Sequence, residues 1–230
     1  MPTASDLNNT VDKFAVQFLL PLGFKKSGIH YYKVDNNQYY GLIKDTSRGY
    51  FMDYYLVYSH EAAGKHYEKL LKKPSSMLKD YPVSVNLGDI KIVYENTEKL
   101  INSSYTFYSL AREFKVDKNC RESETVWNQY FSKIIKRNEL LTTDINYIND
   151  FVQQMFDTIN KYGLNFYNEC DFNLCYTSVQ KSIEQNKMPQ YLQYYNEYKE
   201  VFDEYCKLNN ITQPRVLSTM KVSWINKLFK

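Results

Sequence analysis

The spacing of hydrophobic residues along the chain changes near Tyr94. In the strand segments before this residue, apolar and aromatic side chains alternate with polar ones, which is the period of half-buried β-strands. After it, apolar residues recur three and four positions apart, as on the buried face of a helix. The change predicts an α+β protein, with an N-terminal antiparallel meander sheet and a packed helix in residues 1–94 and a mostly helical part in residues 95–230. Because no Gly/Ser linker separates the two parts, we expect them to share one core in a single domain.

The first helix carries signals at both of its ends. Capping residues predict a start near Ser5 or Thr10, and Pro21 and Gly23 mark the end. Its apolar residues form one helical stripe: Val11, Phe14, Phe18 and Leu22. We expect this stripe to be the face that packs on the sheet or on another helix.

Three strands follow the first helix in the predicted meander. Aromatic and β-branched residues are concentrated at Ile29–Val34 and Gln38–Lys44, and the turn-forming segment Asp35–Asn37 joins them. The third strand is Tyr50–Ser59. The residues expected to face the core are Tyr50, Met52, Tyr54, Leu56 and Tyr58, and those expected on a more polar face are Phe51, Asp53, Tyr55, Val57 and Ser59. The sheet is thus expected to have one dry face and one mixed face.

The remaining elements are predicted mainly from helical periodicity. A short basic helix is expected within His60–Ser76, and a further strand pair is expected at Pro82–Asn86 and Asp89–Tyr94. The later helices are predicted at Thr97–Phe114, Ser123–Arg137, Thr143–Tyr162, Asp171–Asn186, Pro189–Lys207 and Ser218–Phe229. Gly163 is expected to be the residue that follows the end of the helix Thr143–Tyr162.

Composition and cysteine usage bear on where the protein acts. The chain is 43% hydrophobic and 24% charged, within the range of soluble globular proteins, and contains no run of apolar residues long enough to cross a membrane. The N-terminal residues lack the basic start of a secretion signal. The four cysteines show no C-x-x-C spacing, so we expect reduced thiols packed as small hydrophobic groups. Together these features predict a cytoplasmic protein that is not inserted in a membrane.

Charge and tyrosine content bear on nucleic-acid binding. The net charge of +3 is far from the basic balance expected of a duplex-binding domain. The 23 tyrosines include two adjacent pairs at Tyr31–Tyr32 and Tyr39–Tyr40. Two explanations are open for this abundance: a stacking surface for single-stranded nucleic acid, or an AT-rich genome that favours tyrosine codons. Lysine greatly outnumbers arginine, which argues against specific base recognition.

Three segments of the chain carry a resemblance to a known family. They are "PLGFKK", which ends the first helix, "HYYKV" in the first predicted strand, and "INKYGLNFYNECDFN" in the helical part. Their order resembles an uncharacterised bacterial family of small stand-alone proteins, and the likeness spans Phe14–Asn173. The family has a proline in its later segment where this chain has Leu164-Asn165-Phe166. The resemblance implies an immunity-type protein encoded beside a toxin gene, and it transfers no catalytic residue.

The spacing of the histidines, cysteines and glycines gives little support for catalysis or metal binding. His60 and His66 are six positions apart and would lie about 240° apart around a helix, so they cannot form an i, i+4 zinc pair. His30 is expected to be a surface residue. Cys120 and Cys170 are the candidate nucleophiles, but neither has a recognisable nucleophile context. The glycines form neither a P-loop nor a dinucleotide fingerprint. We therefore expect no catalytic residues, no metal site and no cofactor.

An acidic segment is the best candidate for partner binding. Its members are Asp144, Asp150, Asp157, Glu169 and Asp171. Such a surface would steer a basic partner into association. The sequence therefore favours a non-catalytic immunity-type inhibitor that neutralises a cognate toxin. Two alternatives are open: a nucleic-acid-binding accessory protein that uses the lysines around the short basic helix, and an enzyme whose site uses Tyr, Lys and carboxylates without a sequence signature.

Overall fold

The computed structural model describes residues 4–45, 53–87, 145–185 and 189–214. Within these ranges a sheet precedes most of the helices, so the predicted α+β class is confirmed. The strands are β1 (Lys25–Ser27), β2 (His30–Asp35), β3 (Gln38–Asp45), β4 (Asp53–His60) and β5 (Val83–Asn86). The α-helices are α1 (Ala4–Phe18), α2 (Lys65–Lys72), α3 (Ile145–Thr158), α4 (Leu164–Glu169), α5 (Phe172–Gln185) and α6 (Pro189–Leu208). The elements predicted at Asp89–Tyr94, Thr97–Phe114, Ser123–Arg137 and Ser218–Phe229 lie outside the described residues.

The chain divides into two compact units. The first comprises Met1–Phe24, Lys44–Tyr54 and Asn86–Leu164, and the second comprises Lys25–Ile43, Tyr55–Val85 and Asn165–Lys230. Each unit therefore takes residues from both sides of Tyr94. The expectation of one shared core stays a prediction.

The sheet is a five-stranded meander in which sequence order is also spatial order. β1 was not predicted from the sequence. It is only three residues long and pairs antiparallel with β2, with Ser27 opposite His30. Gly28 makes the connecting turn possible because it has a φ of +60°, a conformation that costs glycine little.

The next hairpin follows the turn chemistry read from the sequence. β2 and β3 pair antiparallel, with Asp35 opposite Gln38 and the two central residues Asn36 and Asn37 at φ of 47° and 61°. Two consecutive residues with positive φ are typical of a type I′ turn, whose twist matches that of the strands, and asparagine tolerates this conformation. The predicted turn is confirmed.

The prediction of one polar face on β4 is wrong. Tyr54, Leu56 and Tyr58 are buried as expected, but Val57 and Ser59 on the alternate face are each 0% exposed. A prediction from two-residue alternation assumes that one face of the sheet meets solvent, whereas this part of the sheet is buried on both faces.

The first unit contains a helix pair held together by aromatic rings. Helices α1 and α3 pack against each other, and the rings of Phe14 and Phe18 lie 5.6 and 5.7 Å from that of Phe156. The predicted stripe is correct up to Phe18. Its last member, Leu22, is 38% exposed because α1 ends at Phe18 and a 3₁₀ turn follows, and Leu19 is buried instead.

Gly163 does not end a helix, contrary to the prediction. It lies within a π-helical turn, Ile159–Gly163, and α4 begins directly after it. Leu164 has ordinary α-helical backbone angles, with φ of −66° and ψ of −39°. The residues around the glycine remain buried, including Tyr162, Phe166 and Tyr167. Apolar residues on both sides of Gly163 therefore outweigh the local stop signal.

The predicted helices of the second unit are confirmed by their caps. The backbone N–H of Leu174 donates to the Asp171 side chain over 2.7 Å, which makes Asp171 the N-cap of α5. Pro189 is the first residue of α6, as expected. After α6, Asn210 adopts a left-handed φ of 54°, and the N–H of Ile211 donates to the carbonyl of Cys206 over 2.8 Å. This bond pattern is a Schellman motif.

In the part of the chain that the structure describes, no helix combines the length and the apolarity needed to cross a membrane.

Candidate functional site

The acidic segment predicted from the sequence is only partly a single surface. Asp150 and Asp157 both lie exposed on α3, seven residues apart and thus on one side of the helix. Their Cα atoms are separated by about 10 Å along the helix axis, at ~1.5 Å per residue. The opposite side of α3 is buried through Val152, Met155 and Phe156. Asp144 lies outside the described residues.

The two other predicted acids belong to the second unit, where one has a structural task. Glu169 is exposed at the end of α4. Asp171 is also exposed, but its side chain accepts hydrogen bonds from the backbone of Leu174 over 2.7 Å and from the side-chain amide of Asn173 over 3.4 Å. Its carboxylate therefore serves as a helix cap. Among the predicted acids that the structure describes, Asp150 and Asp157 are the two that lie exposed together on one helix.

A buried carboxylate that the sequence analysis did not single out is the centre of a polar cluster. Asp80 is 6% exposed and accepts hydrogen bonds from the hydroxyls of Ser75 and Tyr194. The Lys69 ammonium lies 3.8 Å from the same carboxylate. The backbone carbonyl of Asp80 accepts a further bond, 2.7 Å long, from the hydroxyl of Tyr198. The cluster fastens α6 to the 3₁₀ turn Leu78–Asp80.

Side chains of the protein donate hydrogen bonds to the Asp80 carboxylate at the centre of this cluster. Burial and the adjacent Asp80 raise the pKa of the Tyr194 hydroxyl, which therefore remains a donor at neutral pH. Tyr81 completes the arrangement, because its hydroxyl donates to the Ser75 carbonyl over 2.9 Å. Both carboxylate oxygens of Asp80 thus accept bonds from the protein, and such a network stabilises local structure. Sequence patterns could not reveal it, since Asp80 and Tyr194 are distant in the chain.

The three histidines lie in different surroundings. His30 is 8% exposed, so the expectation of a surface residue is wrong. The side chain of His60 accepts a 3.1 Å hydrogen bond from the N–H of Ala62, and its ring contacts Phe172 and Tyr205. His66 stacks on Tyr198 instead. Burial lowers the pKa of both His60 and His66. Among the described residues, no group of three or more His, Cys, Asp or Glu side chains is placed to hold a metal ion.

Three of the four cysteines are buried free thiols, as expected. Cys170, Cys175 and Cys206 are each at most 5% exposed. Burial raises the pKa of all three thiols, most strongly for Cys170 and Cys175. A thiol that resists ionisation is a poor nucleophile. Cys120 lies outside the described residues.

The paired tyrosines are mostly internal. Tyr31 and Tyr39 are 3% and 0% exposed. The half-buried Tyr32 stacks on Tyr39 with ring centroids 5.7 Å apart, and the ring of Tyr40 lies 5.1 Å from that of Tyr167. Rings that cover one another have less face to offer a nucleic-acid base.

The lysines of the basic helix point outward as a helical row. Lys65, Lys69 and Lys72 are exposed on one side of α2. Lys79 lies over the ring of Tyr194, 4.9 Å from its centroid. The arrangement is that of an amphipathic surface helix whose buried side is formed by Tyr67 and Leu70.

Searches of protein-family models, characterised proteins and solved structures find no match for this chain.

Proposed function

We propose that the protein is a non-catalytic binding protein of the immunity type, which acts in the cytoplasm and neutralises a cognate toxin. The proposal includes membership of the uncharacterised bacterial family that the segments "PLGFKK" and "HYYKV" resemble. The observation that carries it is the pair of exposed carboxylates, Asp150 and Asp157, presented on the outer side of α3.

The geometry of α3 suits recognition of a basic surface. Its inner side is anchored by Val152, Met155 and Phe156, so the helix can present charge without losing its packing. The side-chain amide of Gln153 donates to Asp157 over 2.8 Å and holds that carboxylate in place. Many toxins that attack nucleic acid are basic, and complementary charge speeds the association of such pairs.

The state of the reactive groups supports binding over catalysis. The described thiols are buried with raised pKa, and the Asp80 carboxylate is engaged by Ser75 and Tyr194. The Asp203 carboxylate accepts bonds of 2.6 Å from both Tyr176 and Lys199. Burial opposes ionisation of Asp203, but these two donors outweigh it and lower its pKa. Each of these groups has a structural role that accounts for its position.

The test uses the product of the neighbouring gene as the probe. Association and dissociation rates with that protein are measured by surface plasmon resonance at about 0.05 M and 0.5 M salt. Reversing both acids, Asp150→Lys with Asp157→Lys, is expected to slow association at least tenfold at low salt, and the difference should shrink at high salt because ions screen the attraction. The dissociation rate should change little.

A matched variant separates local from general charge effects. Glu184→Lys with Glu200→Lys makes the same change in net charge at two exposed acids of the second unit. It should associate at the rate of the unaltered protein. Equal slowing in both variants, or none in either, would remove the α3 surface from the proposal. Failure of the neighbouring product to bind at all would overturn the immunity function, and salt-sensitive binding of a random single-stranded oligonucleotide would favour the nucleic-acid alternative.

A further inference from the structure

The half-buried imidazole of His66 packs against two tyrosine rings in the second unit. Its ring stacks on that of Tyr198 with centroids 4.4 Å apart and meets the ring of Tyr194 edge-on at 5.7 Å. The Nε2 atom is buried and has no hydrogen-bond partner among the described residues. The two tyrosine hydroxyls are directed to Asp80, which leaves the imidazole without them as partners.

This enclosure disfavours the charged form of the ring. An imidazolium carries an N–H on both nitrogens, and a buried N–H without an acceptor loses its hydration with nothing in return. The stack on Tyr198 would attract a cation, but it supplies no acceptor in the plane of the ring. The surrounding charges act in opposite directions on the pKa of His66: Lys65 and Lys69 of α2 oppose protonation, while Asp80 and Glu197 favour it. Burial is the largest influence on His66 and lowers its pKa.

The position of His66 connects the cost of protonating its ring to the attachment of α6. The rings of Tyr194 and Tyr198 that enclose the imidazole also carry the hydroxyls that fasten α6 to Asp80. Charging the imidazole would therefore favour any state in which these two rings move away and admit water. The second half of α6 has separate attachments, including the bond from Tyr176 of α5 to Asp203.

We propose that His66 is an acid-sensitive switch whose protonation releases the first half of α6 from α2 and from the turn Leu78–Asp80. This device is independent of the proposed toxin binding. An imidazole released to water regains its ordinary pKa of ~6.5, so acid shifts the equilibrium towards the released state. Between pH 7.5 and pH 5.0 the released population can rise by at most about thirtyfold, the limit that this pKa allows.

Hydrogen exchange measures the release directly. Protection factors of the amides of Tyr194 and Tyr198, corrected for intrinsic exchange, are compared at pH 7.5 and pH 5.0. We expect a loss of protection of up to about thirtyfold, larger the further the pKa of the enclosed ring lies below 6.5. In the same samples, NMR titration of the His66 ring should give a pKa below 6.5. A ring that titrates at or above 6.5, or protection that does not fall with pH, would overturn the proposal.

Two variants assign the effect to the right histidine. His66→Phe keeps a flat ring against Tyr198 and cannot be protonated, so the acid-induced loss of protection should vanish. His60→Asn is the matched control, since it removes the other imidazole whose pKa burial lowers but keeps an acceptor for the N–H of Ala62. It should leave the loss intact. The same loss in His66→Phe as in the unaltered protein would refute the switch.

Discussion

Replacing Gly41 by alanine tests how closely strands β3 and β4 approach each other. A Cβ atom at this position would lie 2.9 Å from Val57 Cγ2, 3.2 Å from Tyr39 Cε1 and 3.4 Å from the Tyr31 carbonyl. Overpacking of a core costs about 1–3 kcal/mol. Restriction of the unfolded chain by alanine offsets about 0.4–1 kcal/mol of this. We therefore expect Gly41→Ala to lower the free energy of unfolding by about 0.5–2 kcal/mol.

A double-mutant cycle identifies the cause. Val57→Ala alone removes two buried methyl groups and should cost about 1–3 kcal/mol. Combined with Gly41→Ala it removes the clash, so the pair should be more stable than the sum of the single effects by about 1 kcal/mol. Urea unfolding followed by circular dichroism supplies the four free energies.

The control for this cycle is Gly28→Ala. Gly28 has a φ of +60° and no atom within 4 Å of its added Cβ, so alanine there introduces backbone strain without a clash. Its effect should add to that of Val57→Ala with no coupling. Additivity in the cycle of Gly41 and Val57 would refute the close-approach argument.

Two further predictions concern helix ends. Asp171→Ala should remove the N-cap of α5 and cost about 1 kcal/mol in urea unfolding, whereas Asp171→Asn keeps a capping oxygen and should cost much less; equal losses would show that charge, and not capping, is what this residue supplies. Asn210→Ala should force alanine into the left-handed region at the end of α6 and lower the Tm by about 2–4 °C, as expected for a loss of ~1 kcal/mol in a chain of this size. Asn210→Gly, the control, should not lower the Tm, and a similar drop in both variants would contradict the Schellman motif.

Local patterns predicted the elements whose signals depend on few residues. The turn at Asn36 and Asn37 and the start of α6 at Pro189 both follow from backbone preferences that act over one or two turns. Gly163 shows where this reasoning fails. A glycine near the end of an apolar pattern is an ordinary stop signal, but buried aromatic residues on both sides keep the backbone helical.

The same distinction between local signals and tertiary contacts applies to the residues of the candidate site. The sequence predicted that Asp150 and Asp157 share a helix face, because residues seven apart always do. It could not predict that Asp171 is occupied by capping, since this depends on where α5 begins to within one residue. Nor could it find the Asp80 cluster, whose partners come from opposite parts of the chain and carry no periodic signal.

The hydrogen bonds of the tyrosine hydroxyls bear on why the chain contains so many tyrosines. Tyr167 donates to the Gly41 carbonyl over 2.8 Å, and Tyr198 donates to that of Asp80 over 2.7 Å, each from a buried position. Phenylalanine would fill the same space but would remove both of these buried hydrogen bonds. Other hydroxyls, such as that of Tyr58, are buried with no hydrogen-bond partner among the described residues. Codon usage would supply tyrosine whether or not its hydroxyl forms a hydrogen bond, and selection would then retain it only where the bond matters. A mixture of bonded and unbonded hydroxyls is the result expected from that process. The tyrosines whose hydroxyls form these bonds thus serve the fold.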